Sequence, residues 1–399
     1  MIYERTGFSV KEALISQAEA LAPQLCQLSD YIWDHPEVGY QEEEACRVLT
    51  QRLTQDGFQV ETGVGGLPTA FRAVYQQGQG GPSIGLLAEY DALPGLGHGC
   101  GHHMQGPALL LCAETLQAVM KEQSYRLVFY GTPAEEVAPA KQTMWDNGCF
   151  RDIDIALMVH GSVNTACDES SLASMNYTVT FHGTAAHPGL FPERGRSAFG
   201  ALQLAFHGMD MMRAHVTDDT RLHYACTEPG IPANGIPSVA SGKFLLRCRN
   251  SFTYLQELRD RFFDVIKGAA LMTGTTYEID DGVVWPNKIP ALVLNENVMS
   301  NAAAVGCPEI APPRVRTGTT DFASVLQHVP GVCLRIKMVN APVTSHTPEF
   351  AAAGKSELAH NAILKSAQAL ACSCADIICD PELLPRIQAD YLQRQKQYQ

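Results

Sequence analysis

Several absences narrow the class of this 399-residue chain before any motif is read. It has no surplus of positive charge: 29 Lys and Arg stand against 42 Asp and Glu, a formal net charge of −13. That balance argues against nucleic acid as a partner, and it means that an anionic substrate would need local Arg, Lys or metal to hold it. It has no cysteine framework, because 13 cysteines, an odd number, are scattered without scaffold spacing and fit reduced thiols. No apolar run comes near the length needed to span a bilayer, and the N-terminal MIYERTGFSVKEALIS carries acids and no apolar core. The expectation is therefore no membrane partner and a cytoplasmic protein. Internal repeats and low-complexity linkers are also missing. What remains, 46% hydrophobic and 18% charged residues, is ordinary for a globular enzyme, and the length suggests two domains.

The most informative stretch is 83–103, SIGLLAEYDALPGLGHGCGHH. Ser83 to Leu87 follows the turn signal Gly80-Gly81-Pro82 and reads as a buried strand that ends in Glu89 and Asp91, the end at which open α/β sheets keep their sites. The loop beyond it sets glycines around Cys100, His102 and His103, which lets the backbone turn tightly enough to aim neighbouring side chains at one point. Cys-x-His is a plausible bite for a metal. A free thiol beside surface histidines is the plainer alternative, and a phosphate-cradling loop fits worse because the spacing is neither GxGxxG nor a P-loop.

Along the chain, residues 9–33 and 42–53 carry apolar positions at helical spacing, and strands follow at 58–61, 69–75 and 83–87. Pro107 to Val119 reads as an apolar helix, Arg126 to Tyr130 as a strand ending in GTPAEE, a helix lies around 141–147, and Ile153 to Val159 is a strand ending in His160-Gly161. Strands alternating with helices predict an α/β fold with a mostly parallel sheet. From about Ser170 the rhythm changes to βαββαβ, the order of a small α+β domain. The chain then returns near Val283 to Pro290 with a helix at 293–305, the turn Gly318-Thr319-Thr320-Asp321, a strand at 332–336, His346 and a long helix at 355–378. The domains are accordingly 1–169 and 285–399 for one body and 170–284 for an insertion.

Cys100, His102, Glu135, Glu136, His160 and His346 are far apart in sequence, yet each falls at an element end where such a sheet gathers its site. With the stretches DHPEVGYQEEEA, AEYDALPGLGHGCGHH, YGTPAEE, MVHG, FHGTAAHP, NGIP, GTTDF and SHTPEF, they resemble, over essentially the full length, a family of dinuclear metallopeptidases. That family includes aminoacylases, hippurate hydrolases, indole-acetyl-amino-acid hydrolases and p-aminobenzoyl-glutamate hydrolase subunits, and EYDALPGLGHGCGH is most similar to the last branch. The resemblance implies a catalytic domain interrupted by a lid that also dimerises. It implies Cys100, His102, Glu136, His160 and His346 as ligands of two divalent metal ions, zinc first and manganese or cobalt as alternatives, with Glu135 as general base. It implies His187 as an oxyanion donor reaching across a homodimer, and Asn234 and Arg247 as lid residues that hold the carboxylate of an N-acyl, N-aroyl or aminoacyl amino acid, the small-molecule partner. Arg249, two positions on, would share the strand face of Arg247. Two departures stand out, His103 where relatives commonly show Asp or Asn, and Pro139-Ala140-Lys141 in place of a Gly-Gly-containing turn.

The chemistry suits those roles. Thiolate, imidazole and carboxylate donors suit zinc or manganese, and adjacent side chains in an extended segment diverge, so Glu136 can bind metal while Glu135 works on water. Asp91 and Glu37 read as groups that orient a ligand or shape a turn, and Asp321 fits either description. Two other readings stay open on sequence alone, a metal-binding protein of this fold without catalysis and a Cys-His thiol hydrolase.

Overall fold

Short runs such as Ser83–Ala88 and Tyr125–Gly131 bury every residue but the first or second, and strands of that kind belong in the middle of a sheet covered on both faces. The computed structural model describes residues 3–230, 234–249, 251–315 and 317–398. In chain order its strands are β1 (Gln59–Thr62), β2 (Phe71–Gln77), β3 (Ser83–Ala88), β4 (Tyr125–Gly131), β5 (Ile155–Ser162), β6 (Ala166–Cys167), β7 (Leu172–His182), β8 (Arg221–Glu228), β9 (Val239–Arg249), β10 (Thr276–Trp285) and β11 (Gly331–Lys337). The helices are α1 (Tyr3–Asp34), α2 (Glu43–Gln55), α3 (Gln105–Val119), α4 (Ala140–Asp146), α5 (Ala198–Met212), α6 (Phe252–Thr273), α7 (Leu292–Ala304), α8 (Phe322–Leu326), α9 (Pro348–Ala352), α10 (Glu357–Cys379) and α11 (Leu383–Tyr398). Contacts divide the chain into two units, Met1–Ser170 with Lys288–Gln397, and Ser171–Asn287.

The first unit holds a seven-stranded sheet in the order β1-β2-β4-β3-β5-β11-β6. Its four central strands, β4, β3, β5 and β11, run parallel, and antiparallel strands flank them. Alternate residues serve opposite faces. Val128 and Tyr130 of β4 pack with Met144 of α4 and with Phe322 and Val325 of α8, while Leu127 and Phe129, equally buried, point to the opposite face; α3 packs on β3 and β5, and α10 on β5 and β11. Because β11 follows the second unit in sequence yet lies between β5 and β6, the first unit's sheet is assembled from chain on both sides of the insertion.

Helix α10 corrects one expectation from the sequence. It is 23 residues long and apolar enough to cross a bilayer, although no stretch of that length is expected from the pattern of the chain. Most of its apolar window is buried, packed against α1, α3 and α7, so an all-round apolar surface here marks a core helix. Helix α11, where sequence periodicity gives no element, follows it and buries Leu383, Ile387 and Tyr391.

The second unit is an antiparallel sheet in the order β10-β7-β9-β8, with α5 and α6 packed against it in βαββαβ sequence order. Strand β9 alternates strictly. Ala240, Phe244, Leu246 and Cys248 enter the core with Phe262 and Ile266 of α6, which leaves Ser241, Lys243, Leu245, Arg247 and Arg249 on the other face. Ser197 and Ser251 cap α5 and α6 by accepting from the backbone N–H of Gly200 and Tyr254, and Gly274 ends α6 at φ 64°.

Candidate metal centre

The loop after β3 folds back through Gly101, at φ 82°, where a Cβ would meet Met338 Sδ and the Phe350 ring at 3.3 Å. This left-handed turn delivers Cys100 and His102 to the ends of the parallel strands. His102 is fully buried. Its Nδ1–H donates to Asp91 Oδ1 at 3.0 Å, and this fixes the tautomer with the Nε2 lone pair facing the site. Asp91 also accepts from the backbone N–H of Glu136 at 2.9 Å, so one carboxylate ties the ligand loop after β3 to the ligand loop after β4. That second loop turns at Ala134, whose φ is 61°. Its N–H donates to Glu42 Oε1 at 2.7 Å, and Thr69 donates to the other Glu42 oxygen.

From β5, His160 places Nε2 3.5 Å from Cys100 Sγ, while its Nδ1–H donates to the carbonyl of Gly161 at 2.9 Å. His346, beyond β11, sits at φ 67° with its N–H donating to Gly99 O, and its Nε2 stands 3.4 Å from Glu136 Oε1. The donor atoms of Cys100, His102 and His160 lie within 4.8 Å of one another, as do those of Cys100, Glu136 and His346 and those of His102, Glu135 and Glu136. Two of these atoms, His102 Nε2 and Glu136 Oε1, are buried with no hydrogen-bond partner among the described residues. Buried lone pairs without a donor are costly unless something positive occupies the space between them, so this donor set fits divalent cations. Burial first, then the Glu136 and Glu135 charges, pushes the Cys100 thiol up to about 12. A thiolate here therefore calls for a cation.

Glu135 makes no side-chain hydrogen bond among the described residues and lines a cavity of about 250 Å³ with Cys100, Glu136, His160 and His346. Burial, then the charges of Glu89 and Asp321, lifts its carboxyl well above the usual range. Behind it lies a network that sequence reasoning missed. Lys141, with no exposed surface, donates through Nζ to Glu89 Oε1 at 2.7 Å and to Asp321 Oδ1 at 2.5 Å, and its backbone N–H donates to Asp321 Oδ2 at 3.0 Å. Burial works against the Lys141 charge, but Asp321, Glu89 and Glu135 hold it above its ordinary value. The signal for Glu89 was its place at the end of β3; Lys141 stands out only within the unusual Pro139-Ala140-Lys141 turn, with nothing local to assign it a partner.

His103 turns away from the site, and its Nε2–H donates to Gly354 O at 2.9 Å. Glu37 caps α2, its carboxylate accepting from the N–H groups of Glu44 and Ala45. His187, Asn234 and Arg247 belong to the second unit. His187 is exposed and its Nδ1 accepts from Gly189 N, so Nε2 carries the proton; Asn234 is exposed; and Arg247 Nε donates to Ser174 Oγ at 3.4 Å on the open face of β9.

The model of Peptidase family M20/M25/M40 matches residues 85–362. The chain belongs to this family. Over 93% of its length it is 31% identical to the Xaa-Arg dipeptidase of Homo sapiens, covering 89% of that protein. Over 94% it is 29% identical to a p-aminobenzoyl-glutamate hydrolase chain of Escherichia coli, covering 93% of it. A dinuclear metal binding peptidase of the M20 family from Bacillus subtilis superposes with a TM-score of 0.72 at 18% identity, over 90% of this chain and 99% of the other. As an M20/M25/M40 peptidase the chain is a hydrolase of metal-binding fold.

Proposed function

We propose that this peptidase hydrolyses the amide bond of small N-acyl, N-aroyl or aminoacyl amino acids. The observation that carries the reading is the convergence of donor atoms of Cys100, His102, Glu136, His160 and His346, all but His102 lining one small cavity together with an unbonded Glu135. Those five residues would hold two divalent cations, zinc first given the thiolate, whose chemistry when bound is Lewis acidity toward a carbonyl and toward water. Everything else falls to the chain. Asp91 keeps the His102 ring and the Glu136 backbone in register. Glu135 takes the proton of the attacking water on a carboxylate oxygen and passes it to the departing amine nitrogen, which a side chain without a hydrogen bond of its own is free to do. Cations would also counter the Glu89 and Asp321 charges that add to burial in lifting the Glu135 carboxyl, which favours its base form.

On the second unit, the Nε2–H of His187 is our candidate donor to the developing oxyanion of a partner subunit in a homodimer, and Asn234 and Arg247 are candidates for gripping the substrate carboxylate. Support comes from the His187 tautomer and from the open β9 face that carries Arg247. A cytoplasmic setting is supported by 13 cysteines without a disulfide. The test is turnover of N-acyl amino acids and dipeptides by protein reconstituted with zinc, manganese or cobalt. Absence of turnover for the whole panel with metal bound would sink the proposal.

A further inference from the structure

The cavity lining also carries basic groups. Lys288, Arg314 and Arg335 all line it, and all three converge on the buried carboxylate of Asp168: Lys288 Nζ at 2.5 Å, Arg335 Nε at 3.3 Å and Arg314 Nε at 3.6 Å. Asp168 is not itself part of the cavity lining. It anchors the cluster from behind and offsets one positive charge of three, in a chain whose net charge is −13. Neither arginine uses its terminal nitrogens in a hydrogen bond among the described residues, so each guanidinium is tethered at Nε with its fork unspent. Arg335 is the register partner of His160 across β5 and β11, and paired positions on adjacent strands send their side chains to the same face. This places a fork, anchored at Nε by Asp168, next to a candidate metal ligand.

We propose that this wall is a subsite for a second carboxylate of the substrate, additional to the α-carboxylate of the amino acid, and that the enzyme therefore prefers dicarboxylic amides to neutral or cationic ones. The inference rests on the amide-hydrolase reading above and narrows its substrate class. Guanidinium forks favour planar carboxylates bidentately, and a cationic side chain such as arginine would meet like charge in the same place. The second carboxylate can come from the amino acid or from the acyl group, and the two sources are separable.

The experiment compares kcat/KM for N-acetyl-L-glutamate against N-acetyl-L-glutamine, for N-succinyl-L-alanine against N-butyryl-L-alanine, and for N-acetyl-L-arginine, with the same ligands titrated calorimetrically onto the metal-loaded Glu135→Gln protein. One acid should exceed its neutral counterpart by about 10- to 100-fold, the span of a charge-assisted hydrogen bond, and the pair that shows it identifies the source. Arg335→Gln and Arg314→Gln should each draw that ratio toward one, through KM more than kcat. Equal use of acid and neutral partners, preference for the arginine compound, or an equal loss on both members of a pair in the variants overturns the subsite. If nothing is turned over, the hydrolase reading fails, but the binding ratio still decides the subsite. Wild-type ratios need no variant, so a misfolded Arg335→Gln leaves the comparison intact.

Discussion

Replacing Lys141 by Met removes the ammonium that bridges Glu89 and Asp321 while keeping the length of the side chain. Two charge-assisted hydrogen bonds disappear, each worth about 1.5–3 kcal/mol, and breaking a fully buried ion pair from one side costs about 3–5 kcal/mol. The two routes agree on a loss near 4 kcal/mol. For a unit of about 280 residues, an unfolding entropy of about 2.1 cal/mol/K per residue turns this into roughly 5–8 °C of melting temperature. The pH dependence is the sharper test. In the wild type, burial of Glu89 is outweighed by Lys141, then His102 and His160, which hold its carboxyl below the usual range; burial lifts Asp321 to about 6 against the pull of Lys141. Without the ammonium the Glu89 carboxyl should rise above its unfolded value of about 4 and the Asp321 carboxyl should rise further, and a carboxyl raised in the folded state costs stability increasingly as pH rises through that interval. The Lys141 contribution itself is fully present below its unfolded value of about 10.4, so it is constant across the assay. Denaturant melts of chelated protein at pH 5.5 and pH 8 should therefore show a small deficit at the lower pH and the full one at the higher. A loss below about 1 kcal/mol, or one equal at both pH values, would refute the idea that Lys141 neutralises these acids. In a double-mutant cycle, Lys141→Met with Asp321→Asn should be less damaging than the sum of the two.

Metal analysis after reconstitution should find two cations per chain, with occupancy reduced by Cys100→Ala and by His160→Ala; unchanged occupancy in both would remove them from the ligand set. Glu135→Gln should keep metal and fold yet lose about 10²–10⁴ in kcat, the usual worth of a general acid–base group, and a near-native kcat at equal metal content would acquit Glu135. For His187→Ala, kcat should fall by about 10²–10³, and mixing this chain with Glu135→Gln under subunit exchange should restore activity. No recovery with proven exchange, or a monomeric active form, would end the shared-site proposal.

The six residues that the fold brings together as a candidate centre are legible in the sequence because the information is local: an apolar run, a turn and a donor at the strand end, repeated at Cys100, Glu136 and His160. Lys141 is not. Its neighbours in sequence suggest an exposed helix start, and what buries it, Asp321, lies 180 residues away in sequence. Arg335 is visible as one of two charges within VCLRIKM, but its meaning depends on pairing with β5, which local pattern cannot supply. In α10 the periodicity reads correctly as helix, while its length in apolar residues is underestimated because alanine and cysteine do not announce a core as leucine does. His103 looks chemical by neighbourhood, and only its distant contact with Gly354 turns it into a packing group, whereas Glu37, read as a group that orients a ligand or shapes a turn, caps α2 through N–H groups seven and eight residues on.

The place of β11 sets a schedule for the ribosome. Its partner β5 ends at Ser162, but β11 is complete only at Lys337, after the whole second unit has been made. At about 5–20 residues per second this is a delay of roughly 9–35 s. For that time the nascent sheet has an open parallel edge, β6 has no strand to pair with, and the centre lacks His346. The second unit, by contrast, is continuous and can fold as soon as it emerges. Nascent chains halted near residue 300 and treated with protease should thus yield a resistant second unit and a digestible first one, so the catalytic body closes last.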